Sequence, residues 1–409
     1  MTIKEQNEIT KKYYKETPDN VTGVMFGKKS VGGKFTDEES LIFIVEEKKP
    51  IEDIPEDELL PSKVIEKGVS LPTDVIEMKI SALALPPDCP EEFYSWTATT
   101  PGNRSVIRPL QGGISVTNYT SLSGYVGTMG FIAVDNDTNS LVGVSNNHVL
   151  INDAFIATDR NPNGVRTNVA NNFTTQPNEP SLGTSGMQYA IGIVKKYVPI
   201  SGSPEINTVD CAVTTVNQSV ISNTTSYLQY GMNGWTQPLV FATTEEIDGL
   251  IENKNALFST GRTTGPKGEG ATKLIPYSLS NTFNIAYNKQ GVDTFIPFGE
   301  NIVFKASAAT TPAGQYCDWP IFKGDSGSAL VADFNGTRKI VGLVFAGNET
   351  LGAANRIDNV VAQMNISAWT GSSVNYSDTG NTVTTSVSGL DDRENLSSGG
   401  NTYWQVGIQ

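Results

Sequence analysis

The stretch 322–330, FKGDSGSAL, sets a serine inside a glycine-rich turn between two apolar runs. Gly324 and Gly327 open backbone angles that are closed to other residues, so the N–H groups of Gly324 and Ser326 can converge on one point. Converging donors of this kind are what a developing oxyanion needs. Alone, the turn is ambiguous. A serine hydroxyl is a weak nucleophile at neutral pH until a base takes its proton, so the reading of Ser326 depends on finding that base.

The chain has 409 residues and a single histidine. His148 stands in LVGVSNNHVL, at the end of an apolar strand pattern where a loop begins. A third group must orient the imidazole and stabilise its cation, normally a carboxylate in apolar surroundings. NTVDCAVTTV offers Asp210 between Val209 and Cys211, and a charge inside a buried strand needs a partner. Capping of that carboxylate by backbone N–H groups in a turn is the competing reading.

The order His148, Asp210, Ser326, within SNNHVL, VDCAV and GDSGSAL, resembles the chymotrypsin/trypsin-like serine peptidases, in particular their bacterial branch. STGRTTGPKGEGAT at 259–272 is similar to the Gly-x-Thr-Thr-Gly turn of that branch. The resemblance spans residues 108–370 and implies two perpendicular six-stranded β-barrels with the triad in the cleft between them. It implies His148 as base, Asp210 as its holder, Ser326 as nucleophile, and the N–H groups of Gly324 and Ser326 as the oxyanion hole. NVTGVMFGKK, FIVEEKKP and PTDVIEMK further resemble bacterial relatives of the narrow-leaf trypsin-like proteins of plants. That likeness implies an α+β domain ahead of the peptidase, and homo-oligomers.

Two positions depart from the family pattern. With a whole domain preceding the peptidase, Asp325 has no newly cut amino terminus to pair with, and Arg262 or a backbone N–H is its expected partner. Phe345 falls where the family usually has a serine that helps hold the aspartate. The resemblance places a substrate pocket at Pro320, six residues before the nucleophile, with Phe345, Ala346 and Gly347. Pro320 is not acidic, so a medium-sized apolar side chain is expected there rather than Arg or Lys, with Asp318 nearby.

Gly, Asn, Ser and Thr are abundant and helical patterns few, which favours short strands joined by turns. The expected fold is mainly β: a chymotrypsin-like double β-barrel over 108–370, preceded by a small α+β N-terminal domain over 1–92 and a linker over 93–107. A polar Ser/Thr/Gly-rich tail covers 371–409. The first domain is expected to hold an amphipathic helix, a hairpin around Gly32 and Gly33, a helical turn in IEDIPEDELLPSKV, and a strand at TDVIEMKI. IDNVVAQMNI carries the one clear helical pattern later in the chain.

A net charge of -14 disfavours nucleic acid and anionic membranes as partners. No apolar run approaches the roughly 18 residues of a membrane-spanning helix, and MTIKEQNEITKKYYKETP lacks the apolar middle of a signal peptide, so a cytoplasmic location is expected. Cys89, Cys211 and Cys317 share no metal-ligand spacing, and neither a disulfide framework nor a zinc site is expected. DNDTNS at 135–140 begins like a calcium loop but has Ser140 and Asn146 where Gly and Glu are required; a hairpin turn is expected instead. GPKGEGAT has no following Lys-Ser/Thr. No cofactor or metal is expected, and the partner is a protein or peptide substrate. The function expected is a serine endopeptidase; the competing readings are an idle peptidase-fold scaffold and a serine esterase using the same residues.

Overall fold

The computed structural model describes residues 1–31, 34–81, 104–118, 126–151, 166–167, 173–177, 189–232, 235–268, 273–289, 292–306 and 320–372. The expected linker and tail lie almost wholly outside these residues, as do Cys89, Cys317, Asp318 and the Gly32–Gly33 turn.

Helix α1 (Ile3–Glu16) starts at Thr2, whose hydroxyl accepts the Glu5 N–H while the Glu5 carboxylate accepts the Thr2 N–H, satisfying two amides the first turn leaves open. Its buried face, with Ile9, covers the hairpin of β1 (Val21–Val31) and β2 (Lys34–Val45). LIFIV in β2 shows why this hairpin lies between two layers. Leu41, Phe43 and Val45 join the cluster under α1, whereas Ile42 and Ile44 point to the opposite face and join the barrel cluster. Both faces are buried at period two, so the strand reads as a continuous apolar run.

The stretch expected as a helical turn holds two short 3-10 turns, Ile51–Asp53 and Glu56–Glu58, and its last residues begin a strand, β3 (Lys63–Glu66). The prolines break the helix, and Lys63–Glu66 finds backbone partners in β4 (Val69–Glu77). TDVIEMKI is divided: β4 ends at Glu77, and Ile80–Ser81 forms β5.

A half-barrel follows. It contains β6 (Ile114–Asn118), β7 (Val126–Met129), β8 (Phe131–Asp135), β9 (Ser140–Ser145), a one-turn helix α2 (Asn147–Leu150), β10 (Arg166–Thr167), β11 (Phe173–Thr175), β12 (Ala190–Tyr197) and β13 (Ala212–Thr215). Pairing runs β8-β9-β13-β12-β11-β6-β7, with β10 on β12. DNDTNS turns the β8–β9 hairpin as expected, and the Lys196 ammonium sits between the carboxylates of Asp135 and Asp137, at 2.6 and 2.8 Å.

After β14 (Val240–Phe241) and α3 (Thr244–Asp248) come β15 (Leu257–Gly261), β16 (Gly265–Lys267), β17 (Leu274–Ser278), β18 (Asn281–Lys289), β19 (Val292–Gly299), β20 (Asn301–Ala306), β21 (Ala329–Phe334), β22 (Thr337–Gly347) and β23 (Leu351–Arg356). Helix α4 (Ile357–Met364) matches the helical pattern read from IDNVVAQMNI, and β24 (Ile366–Ala368) returns to β8. Strands β15, β17, β20, β23, β22 and β21 pair in that order, and β21 pairs with β15, which closes a six-stranded barrel. The chain is mainly β with few helices, a closed six-stranded barrel and a second half-barrel, in line with the expected double β-barrel.

Strand β18 belongs to neither barrel's ring. It pairs with β19, with β1 of the N-terminal hairpin, and in parallel with β5. The N-terminal unit therefore shares a continuous sheet with the C-terminal barrel. Tyr14 of α1 adds a hydrogen bond from its hydroxyl to Asn284 Oδ1, 2.5 Å, and Lys11 forms an ion pair with Glu300.

Candidate active site

His148 is carried by the one-turn helix after β9, and Asp210 by the residues leading into β13, the neighbour of β9. Adjacent strands thus deliver the pair, and both residues are buried. His148 Nδ1 lies 2.5 Å from Asp210 Oδ2, and the His148 backbone N–H donates to Asp210 Oδ1 at 3.2 Å. With Nδ1–H donating, Nε2 carries the lone pair, and among the described residues it has no hydrogen-bond partner.

Asp210 is fixed from two further directions. The Tyr287 hydroxyl donates to Oδ2 at 2.8 Å, and the Asp210 N–H donates to Asn355 Oδ1 at 2.9 Å. Asn355 is in turn joined to Asn301, and Asn301 to Asn281, so a buried line of amides crosses β23, β20 and β18. Burial, and then the charge of Asp210, push the Tyr287 phenol well above its ordinary value, so it stays a donor. The Cys211 thiol is likewise pushed up by burial. Neither Tyr287 nor Asn355 belongs to a sequence motif. The available signal was physical: Phe283, Ile285 and Tyr287 alternate on one buried face, and a phenol there needs a partner for its hydroxyl.

Ser326 comes from the loop before β21. Gly324 and Gly327 have φ of +99° and +92°, the left-handed region that the sequence anticipated at these two positions. The loop is tied to the half-barrel through β7: the Thr128 N–H donates to the Ser326 carbonyl at 2.7 Å, and the Thr128 hydroxyl to the Gly324 carbonyl at 2.8 Å. The barrels touch closely here; a Cβ on Gly127 would lie 2.8 Å from the Ser326 carbonyl oxygen. Ser326 is buried, and its hydroxyl donates to the Phe345 carbonyl at 3.4 Å.

Asp325 is held by backbone amides rather than by Arg262. Oδ1 accepts the N–H groups of Thr263 and Thr264 at 2.8 and 3.0 Å, and Oδ2 that of Phe322 at 2.8 Å. Burial pushes its carboxyl above the usual carboxylate value, against the pull of those three amides. Arg262 instead directs Nε to the Ser115 hydroxyl, 3.1 Å away.

Of the expected pocket residues, Phe345 turns its ring into the core against Phe298, centroids 4.9 Å apart, and offers the loop only its carbonyl. Pro320 and Ala346 are buried. Gly347 pairs with Ser81 of β5, and a Cβ on it would lie 2.6 Å from the Ile321 side chain.

No protein-family model and no curated protein matches this sequence. Similar solved structures include a glutamic acid-specific serine protease with a histidine triad in substrate binding, at 14% identity and TM-score 0.36. Protease A of Thermobifida fusca, at 13% and 0.35, and chymotrypsin of Cellulomonas bogoriensis, at 15% and 0.33, are two others. Each covers 64% of this chain, and the matches span 98–100% of those chains. At these identities and scores they are distant likenesses of chain course and carry nothing about this chain's chemistry.

Among the described residues no group of His, Cys, Asp and Glu side chains could hold a metal ion, and no helix is long and apolar enough to cross a membrane.

Proposed function

We propose that the chain is a serine endopeptidase of the bacterial trypsin-like type, acting on protein or peptide substrates through His148, Asp210 and Ser326. The observation that carries this reading is the buried His148–Asp210 contact of 2.5 Å, which among the described residues leaves the imidazole Nε2 lone pair without a hydrogen-bond partner. An imidazole held in that tautomer is a base without a proton to accept until a hydroxyl turns to it.

In the first step Ser326 Oγ attacks the peptide carbonyl carbon, and its proton passes to His148 Nε2. Asp210 stabilises the imidazolium that results. The carbonyl electrons move onto oxygen, where the N–H groups of Gly324 and Ser326 meet the negative charge; among the described residues the Gly324 N–H donates to nothing else. Collapse expels the amine, which takes the proton from His148 and leaves an acyl group on Oγ. Water then repeats the sequence, its proton going to His148 and its oxygen to the acyl carbon, and Ser326 recovers its hydroxyl hydrogen.

A second reading, an idle scaffold on the same fold, is favoured by one contact: the Ser326 hydroxyl donates to the Phe345 carbonyl. Rotation about one side-chain bond separates that arrangement from a serine turned toward another acceptor, and catalytic hydrogen bonds commonly tighten only with substrate bound. Hydrolysis of a casein-type substrate by the full chain, and its fall by roughly a thousandfold or more in Ser326→Ala with the fold retained, is the expected result. Equal turnover by the two proteins would eliminate the assignment.

A further inference from the structure

The face of β18 that meets the barrels is apolar at Phe283, Ile285 and Tyr287, and each is at most 1% exposed. A phenylalanine would fill position 287 as well as tyrosine does, packed as that ring is beside Phe298, centroids 6.0 Å apart. The hydroxyl is the part that packing does not explain. Burying it costs free energy unless it is hydrogen-bonded, and its bond goes to Asp210 Oδ2 at 2.8 Å, the oxygen that also receives His148 Nδ1. The same ring stands edge-on to the imidazole, centroids 5.7 Å apart at 71°. Tyr287 thus touches both members of the pair, and it comes from a strand that the triad motifs do not include.

We propose that Tyr287 is a positioning residue of the His148–Asp210 pair, supplying the hydroxyl that Phe345 cannot. Three donors then fix the carboxylate: the His148 N–H on Oδ1, and Nδ1–H with the Tyr287 hydroxyl on Oδ2. Rotation of the carboxylate would break at least one of them, so the imidazole is held in the tautomer that bares Nε2. The strand's register is set from the N-terminal unit: Gly23, Val24 and Met25 of β1 oppose Phe283, Thr282 and Asn281, and Ser81 of β5 opposes Ala286, next to Tyr287. The other titratable side chain adjoining Asp210, Cys211, is buried with its thiol pushed up and contributes no charge.

This inference rests on the peptidase reading for its kinetic consequence but not for its spectroscopic one, because His148 is the chain's only histidine and its ring resonances are unambiguous. In full-length Tyr287→Phe, kcat is expected to fall roughly tenfold to a hundredfold, the factor that a hydrogen bond to a buried charge is worth, with KM little changed. The His148 Nδ1-bound proton is expected to resonate further downfield, since Asp210 loses its competing donor. Incorporation of 3-fluorotyrosine at 287 keeps the ring's shape and strengthens the donor; it is expected to shift the same resonance upfield, and it decides the matter if Tyr287→Phe does not fold. An unmoved resonance in a folded protein overturns the proposal. So does an unchanged kcat in a Tyr287→Phe enzyme whose parent is active. Should the parent cleave nothing while the resonance moves, the peptidase reading falls and the coupling of Tyr287 to His148 through Asp210 stands.

Discussion

The backbone N–H of Thr263 donates to Asp325 Oδ1 at 2.8 Å, which joins the GRTTG turn to the loop that carries Ser326. With Thr264 and Phe322 completing the set, one carboxylate closes both turns through three backbone amides. In Asp325→Asn one oxygen becomes an NH2 group that must face an N–H donor, which costs about 1–3 kcal/mol and loosens the Gly324–Ser326 segment. Denaturant midpoint and turnover are both expected to fall, and turnover by the larger factor.

Partner and role were legible to different degrees at this loop. GRTTG stood out in the sequence as a motif, and the φ angles of Gly324 and Gly327 were anticipated from the composition of their turn. For Asp325 a backbone N–H was one of two expected partners, but which amides would serve was not legible, because every residue but proline carries one and only the folded loop selects three of them. His148, Asp210 and Ser326 each sit in a local pattern of apolar strand and loop. Tyr287 and Asn355 reach Asp210 only through strand pairing between distant parts of the chain, for which no local pattern exists. The strand at Lys63–Glu66 was hidden for the same reason: four residues after Pro61 become a strand through their pairing with Val69–Pro72.

The half-barrel contains a test of charge burial. Burial works to raise the Asp135 carboxyl, and the Lys195 and Lys196 ammoniums more than offset it, so the group lies below its ordinary value of 3.8. A carboxyl depressed in the folded state adds stability above its unfolded value, and this is lost as pH falls below 3.8. Stability measured by denaturation is therefore expected to drop across that acid range, and Asp135→Asn to show a shallower drop. Lys196→Met, which leaves Lys195 as the remaining cation on Asp135, is expected to cost up to about 3 kcal/mol at neutral pH.

The join between the N-terminal unit and β18 depends on close approach at Gly23. A Cβ there would lie 2.4 Å from Phe283 Cβ. Gly23→Val is expected to push β1 off β18 at a cost of about 1–3 kcal/mol, with faster amide exchange along 281–287. Unchanged exchange in that segment would show that the pairing contributes nothing to the order of β18.

Of the residues expected to line the substrate pocket, Pro320, Ala346 and Gly347 carry no acidic side chain. Chromogenic peptides with a medium-sized apolar residue before the scissile bond are expected to be cleaved at least about tenfold faster, in kcat/KM, than those with Arg or Lys. The reverse order would place an acidic side chain in the pocket.

Activation of Ser326 as a nucleophile is read by reaction of the folded full chain with a fluorophosphonate, followed by intact mass and peptide mapping. One adduct is expected, on Ser326, formed at a rate that collapses in His148→Ala. A folded protein that takes up no adduct, or one labelled equally fast without His148, would contradict that activation.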